Sequence, residues 1–155
     1  MRTSFFAAIA LVFAAITGCG DGAEQAVPAS FTDETMTQFR PYAQGEYVIR
    51  TRSQLQAAWA AAPFAVFPVG LVTSEPAFPE YDFQSSMLVG VSLGIGKWCF
   101  APVITQVLVV GDDMDVEYKI RAISTLACMF NAPLISFALV PRVTGSVAFR
   151  NGGTL

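Results

Sequence analysis

The chain of 155 residues contains no histidine. Histidine is the side chain whose ordinary pKa lies nearest neutrality, so acid–base catalysis near neutral pH lacks its usual carrier. Only three cysteines are present, and zinc and copper sites are therefore poorly supplied with ligands. We expect no metal, no cofactor and no enzymatic activity.

Charged residues are also scarce, at 14% of the chain. The nine basic residues are scattered and form no run that could neutralise a row of phosphates. The formal net charge of −3 is mildly acidic. These features do not fit a nucleic-acid-binding protein, and the length leaves room for one domain.

The N-terminal residues carry one charge, Arg2, and an unbroken apolar stretch follows from Phe5 to Ile16. This pattern is typical of a secretory signal peptide, and the run is too short to span a bilayer. Residues 16–19 read Ile-Thr-Gly-Cys, which resembles the bacterial lipobox, whose cysteine receives a lipid before cleavage. We expect residues 1–18 to be a signal peptide and Cys19 to be lipidated. Ordinary secretion with an incidental cysteine is the alternative.

A lipid on Cys19 would hold the protein at a membrane of the cell envelope. Gly20 stands where an aspartate usually retains lipoproteins at the inner membrane, so we favour the periplasmic face of the outer membrane. Asp21 leaves the inner membrane open as an alternative. Residues 19–45 show no sustained hydrophobic period, and we interpret them as the lipidated cysteine and a flexible tether.

From Glu46 onward the chain is patterned, and we assign residues 46–155 to one β-rich domain. Residues 47–49 predict a short strand, and Ser53 followed by Gln56 has the capping-box arrangement of a helix that ends at Ala62, before Pro63. Five further strands are predicted at 87–93, 101–110, 114–121, 134–140 and 143–150. We expect an α+β, mainly β fold: an antiparallel sheet curled into a sandwich or open barrel, with one short N-terminal helix.

Cys99 and Cys128 remain to pair once Cys19 is lipidated. Between them lies a predicted hairpin that turns at Asp112 and Asp113, which places Cys99 opposite about residue 126. An exported protein can oxidise such a pair. We expect a disulfide between Cys99 and Cys128, with two buried free thiols as the alternative.

Residues 90–94, Gly-Val-Ser-Leu-Gly, match the G-x-S-x-G pattern of a serine nucleophile. That pattern requires a strand-to-helix turn and a base, commonly histidine. No helix pattern follows, and the chain has no histidine. We expect a glycine-bearing loop over residues 94–100 and no serine-hydrolase activity.

An irregular apolar stretch over residues 64–81 is rich in proline and carries Phe67 and Phe78. We predict that this loop and the turn over residues 94–98 are contact surfaces, with Phe67, Phe78 and Trp98 as partner-binding residues, because large apolar groups on loops are common interface anchors. For the loop, a flap packed over the sheet is the favoured alternative, since burial is the commoner fate of phenylalanine.

Several groups of residues stand in a fixed order along the domain: Asp82-Phe83, Met87-Leu88-Val89-Gly90-Val91, Leu93-Gly94, Cys99-Phe100, Cys128, Pro133, Phe137-Ala138-Leu139-Val140-Pro141-Arg142 and Val147-Ala148-Phe149. In this order, from about Tyr47 to Arg150, the chain resembles the C-terminal domain of the PrcB family of protease-complex subunits. Family members carry a Gly-Gly-Tyr-like segment where this chain has residues 96–100. The family includes exported lipoproteins, and its namesake is a non-catalytic subunit needed to assemble a surface protease complex.

The resemblance implies a non-catalytic, membrane-anchored lipoprotein that acts by protein–protein interaction. A protease is one partner it suggests, with this chain as an accessory or assembly subunit. The alternative is a periplasmic small-ligand-binding lipoprotein or an unrecognised enzyme. Polar groups converging in one deep pocket would favour that alternative.

The lipobox yields a direct prediction. Cys19→Ser removes the only thiol on which the lipid can be placed, so we expect the domain to leave the membrane fraction for the soluble fraction. Fractionation of cells that express the two forms measures this. Unchanged membrane association of the variant would contradict lipid anchoring.

Overall fold

The computed structural model describes residues 24–64, 74–123 and 126–155. Cys19 and Phe67 lie outside these residues. The described elements, in chain order, are β1 (Val27–Pro28), β2 (Thr32–Asp33), β3 (Gly45–Ile49), α1 (Arg52–Ala61), β4 (Ser86–Lys97), β5 (Phe100–Val110), β6 (Asp113–Ala122), a 3₁₀ turn (Leu126–Met129), β7 (Asn131–Pro141) and β8 (Val147–Thr154).

The strands form two four-stranded sheets. Sheet A has the order β1-β5-β6-β8, and sheet B has the order β2-β7-β4-β3. Neighbouring strands are antiparallel except for β6 and β8, which are parallel. The α+β, mainly β fold predicted from the sequence is confirmed as a sandwich, and the sheets do not close into a barrel.

One apolar core lies between the two sheets. Met87 and Val89 of β4 enter it from sheet B, and Met114 and Val116 of β6 enter it from sheet A. Polar and apolar residues alternate along β6 for this reason, because successive side chains of a strand point to opposite faces.

A second core covers the other face of sheet B. Leu88 and Phe137 point into it from β4 and β7, and it is closed by Leu55 of α1 together with Phe39 and Tyr42. Sheet B is thus apolar on both faces. This explains why β4 and β7 read as nearly continuous apolar runs rather than as alternating ones.

For residues 24–45, the described part of the segment 19–45, the second core corrects the interpretation as a flexible tether. Within residues 24–45, β1 pairs with β5 and β2 pairs with β7, and Phe39 is only 3% exposed. After these two short pairings at the sheet edges, the segment crosses the outer face of sheet B. Its buried residues are therefore irregularly spaced, and no strand or helix period marks them.

Arg40 is the charged residue that this segment buries, with 2% of its surface exposed. Its guanidinium lies 3.8 Å from the centre of the Trp59 ring and donates to the carbonyl of Ala62 at 3.0 Å and to the carboxylate of Glu75. A buried charge is tolerated only when it is paired and hydrogen-bonded. Arg40 therefore joins the N-terminal segment to the end of α1.

Helix α1 begins two residues earlier than the capping box at Ser53 predicts. Thr51 is the N-cap, and its hydroxyl accepts from the N–H of Gln54 at 3.2 Å. The side chain of Gln54 in turn accepts from the N–H of Arg50 at 2.7 Å. Both reciprocal bonds resemble those of a capping box, but with Thr51 and Gln54 in place of Ser53 and Gln56.

The glycine-bearing loop predicted over residues 94–100 is wrong, because β4 continues to Lys97. A bulge between Ser92 and Ile95 absorbs the glycine, and Gly94 there has a φ of +81°, which other residues rarely adopt. Ser92 is 1% exposed and donates to the carbonyl of Tyr42 at 3.0 Å. The serine of the G-x-S-x-G motif thus ties sheet B to the N-terminal segment.

Gly90 allows the aromatic packing of the second core. It pairs across the strands with Phe137, and a Cβ at Gly90 would overlap the Phe137 ring. The same ring lies 4.9 Å from that of Tyr42. The close approach of strand and ring therefore requires glycine at this position.

We expect Gly90→Ala to lower the free energy of unfolding by about 1 to 3 kcal/mol, the usual cost of overpacking a core. Urea denaturation measures this. Phe137→Leu in the same chain should recover part of the loss, giving a favourable coupling between the two sites. An unchanged stability of Gly90→Ala, or strictly additive effects, would contradict the packing described.

Candidate functional site

Exposed apolar side chains concentrate at the end of the sandwich where the turn between β4 and β5 lies. The N–H of Trp98 donates to the carbonyl of Phe130 at 3.0 Å, and the N–H of Ile123 donates to the carbonyl of Cys99 at 2.8 Å. These two bonds bring the β4–β5 turn next to the ends of β6 and of the 3₁₀ turn. We call the surface they form the Trp98 end. It consists of Ile95, Trp98, Phe100, Ile123, Met129 and Phe130.

The Trp98 end contains five of the nine large apolar residues that are exposed within the described part of the chain. Phe100 is 52% exposed and Met129 is 73% exposed. Single exposed apolar residues are ordinary, whereas a contiguous group of them is typical of an interaction site. Of the predicted partner-binding residues, Trp98 belongs to this surface.

Trp98 itself is half-buried and packs against the second core. Its ring lines a cavity of about 370 Å³, together with Met36, Phe39, Arg121 and Ile123 among others. The core thus holds the ring in place while part of it stays accessible. A side chain held in this way can act as a rigid anchor for a partner.

The polar groups that line this cavity bond mainly to the protein's own backbone. The Thr35 hydroxyl accepts from the N–H of Phe137 at 3.1 Å, and the Ser136 hydroxyl accepts from the N–H of Ile104 at 3.0 Å. Arg121 and Asp33 are the charged side chains that line it. Two of its hydroxyls are therefore already bonded to the protein's own backbone, whereas most small-molecule sites direct several polar groups at the ligand.

Two prolines line the same cavity, Pro102 from β5 and Pro133 from β7. Both strands present an outer edge here, beyond the short stretches that β1 and β2 cover. Proline has no N–H to donate, so these edges are poor templates for an added strand. A partner at this end would make side-chain contacts rather than extend a sheet.

Phe78, predicted as a partner-binding residue, is half-buried and packs within the fold, and its role in binding stays a prediction. Its ring lies edge-on to that of Trp59, with the centroids 5.4 Å apart, and it contacts the second core. This arrangement agrees with the alternative interpretation of the loop as a flap over the sheet. Phe67, from the same loop, lies outside the described residues.

Cys99 and Cys128 lie in hydrogen-bonding contact at the Trp98 end. This bond to Cys99, together with partial burial, raises the pKa of the Cys128 thiol above its ordinary value. The fold thus brings the two thiols close together, and the disulfide between them remains a prediction.

The register that brings the two cysteines together differs from the one predicted. Val110 pairs with Asp113 and Phe100 pairs with Ala122, so the turn is Gly111-Asp112, with a φ of +57° at the glycine. Cys99 consequently faces Ile123 rather than residue 126. The 3₁₀ turn at Leu126–Met129 then brings Cys128 back toward Cys99.

An arginine cluster at the opposite end was not anticipated. Arg50 donates to the carbonyl of Gly145 at 2.6 Å, and Arg142 donates to the carbonyl of Arg50 at 2.9 Å. Arg52 forms an ion pair with Glu80 at 2.6 Å. The only signal in the sequence is position, since Arg50 and Arg142 directly follow the last residues of β3 and β7.

The described ranges were searched for metal sites and membrane-spanning helices. They contain no group of three or more histidine, cysteine, aspartate or glutamate residues placed to hold a metal ion. No helix in them is long and apolar enough to cross a membrane.

We expect Cys99 and Cys128 to be disulfide-bonded in the exported protein. Mass spectrometry of protein alkylated without reduction should show both cysteines protected, and Cys99→Ser with Cys128→Ser should lower stability by about 3 to 4 kcal/mol, as for a loop of this length. Alkylation of both thiols under native, oxidising conditions would contradict the pairing.

We compared the chain with known protein families, curated proteins and solved structures. No family model, curated protein or solved structure matches the chain.

Proposed function

We propose that this protein is a non-catalytic lipoprotein, held at a membrane of the cell envelope through Cys19, that binds a protein partner through its Trp98 end. The observation that carries the proposal is the concentration of exposed apolar side chains around a half-buried tryptophan. Such a surface is costly to leave in water and is stabilised when a partner covers it.

The chemistry of the surface favours apolar contact. Its large side chains include aromatic and thioether groups, which are enriched in the centres of interfaces. Lys97 and Arg121 lie at its margin, so a partner with acidic residues around an apolar centre would fit best. Phe100 and Met129 are the exposed members that such a partner would cover first.

The resemblance to the PrcB family supports a finer proposal, that the partner is an exported protease and this chain is an accessory or assembly subunit. Gly20 after the predicted lipidated cysteine supports a location at the periplasmic face of the outer membrane. Both proposals rest on the sequence. They are tested by the identity of the partner and by membrane fractionation.

The cavity beside Trp98 favours one second candidate, a small-ligand-binding lipoprotein. Its volume of about 370 Å³ lies within the range of small-molecule sites, and Arg121 could pair with an anionic group on an apolar ligand. Native mass spectrometry of protein purified without denaturation would reveal a retained ligand. A retained ligand that is lost in Trp98→Ala would favour this candidate over a protein partner.

We expect Phe100→Ser and Met129→Ser, singly and together, to weaken partner binding while the melting temperature stays close to that of the wild type, because both side chains are more than half exposed. Val27→Ser is the matched control, since Val27 is 59% exposed but pairs with Val109 near the other end of β5. Crosslinking in intact cells followed by mass spectrometry identifies the partner, and binding of the purified pair measures affinity.

Trp98→Ala should weaken the same complex by about 2 kcal/mol or more if the ring is an anchor. Because the ring also packs against the second core, some loss of stability is expected alongside. Equal binding by the wild type, the Phe100→Ser/Met129→Ser double variant and the control would contradict the proposal.

A further inference from the structure

The position of Glu24 shows which end of the domain lies nearest the start of the described chain. Its carboxylate lies where a Cβ on Gly111 would point, against the turn between β5 and β6. Residues 27 and 28 then run antiparallel to β5, from Val109 to Leu108. The described chain therefore enters at the turn end of β5, opposite the Trp98 end.

The turn that Arg50 binds lies at the same end of the sandwich. Gly145 donates to the carbonyl of Asp112 at 2.8 Å, and Arg50 donates to the carbonyl of Gly145 at 2.6 Å. We call this surface the anchor end and define it by Glu24, Arg50, Gly111, Asp112 and Gly145. It is one connected set of turns rather than a mobile loop.

Two lengths decide how the domain can sit on a membrane. Only four residues separate Cys19 from Glu24, and the five Cα-to-Cα steps between them reach at most about 18 Å when fully extended. Strand β5 spans the sandwich with eleven residues, which corresponds to about 33 Å. The connection is therefore much shorter than the domain.

We infer that the anchor end faces the lipid headgroups and that the Trp98 end projects away from them. The inference rests on the proposed lipid at Cys19. A connection of at most about 18 Å cannot let the Trp98 end point at the bilayer, because Glu24 would then stand about 33 Å above it. A flexible tether of 25 residues would have imposed no such limit.

This orientation specifies the kind of partner that the Trp98 end can meet. When the sandwich stands upright on the anchor end, its contact surface lies about 33 Å from the headgroups, where a partner with an extramembrane domain can reach it. The partner is a soluble exported protein or a membrane protein with a large extracytoplasmic domain.

The test uses the full, lipidated chain in vesicles of phosphatidylethanolamine and phosphatidylglycerol that contain a clickable phospholipid. A photocrosslinking benzoylphenylalanine replaces Asp112 at the anchor end or Lys97 beside the Trp98 end, both of which are exposed. We expect the probe at 112 to label lipid at least about fivefold more than the probe at 97, because the two sites differ in height by most of the length of β5.

A matched control inserts twenty Gly and Ser residues between Gly22 and Ala23, which adds about 25 Å of flexible reach. We expect this insertion to reduce or abolish the difference between the two sites. Equal labelling at 112 and 97 in the wild-type connection, with the protein in the vesicle fraction, would overturn the orientation alone. Recovery of the unmodified protein in the soluble fraction would instead overturn the lipid anchor, and the orientation with it.

Discussion

The burial of sheet B on both of its faces is the constraint on which the rest of the structure depends. β4 and β7 carry large apolar side chains on each side, and one sheet opposite them can cover only one side. The other side needs a second layer, which α1 and the segment from Thr35 to Tyr42 provide. Leaving that face in water would cost about 25 cal/mol for each Å² of apolar surface.

Several local features follow from this constraint. Gly90 removes a side chain so that the Phe137 ring can lie on the sheet. Ser92 and Thr35 bond the covering segment to β4 and β7 through backbone partners, and Arg40 bonds it to α1. The covering segment is therefore fastened to both strands and to the end of the helix.

The sequence predicted what depends on local periodicity. The alternation of β6 predicts a strand, and the capping-box pattern of Ser53 and Gln56 predicts a helix that in fact begins two residues earlier. The order of these elements predicts the mainly β sandwich. The sequence did not predict the role of residues 24–45, because a segment that crosses a sheet shows no period. The predicted pairing of the β5–β6 hairpin was off by a few residues for another reason. The turn lies at Gly111 and Asp112, and a bulge near Thr105 shifts the pairing, neither of which periodicity reveals. Trp98 is predicted as a contact residue from its residue type, whereas the exposure of Phe100 and Met129 is a property of the fold that the sequence does not show.

The central claim is that residues 34–42 form a structural layer of the domain and not a tether. Amide hydrogen exchange on the full chain tests it most directly. The N–H groups of Glu34, Gln38 and Tyr42 donate to backbone carbonyls at 2.8 to 2.9 Å, and the account predicts that they open with free energies close to those of β4 and β7. Exchange of these amides at the rate of an unfolded chain, while β4 and β7 remain protected, would contradict it.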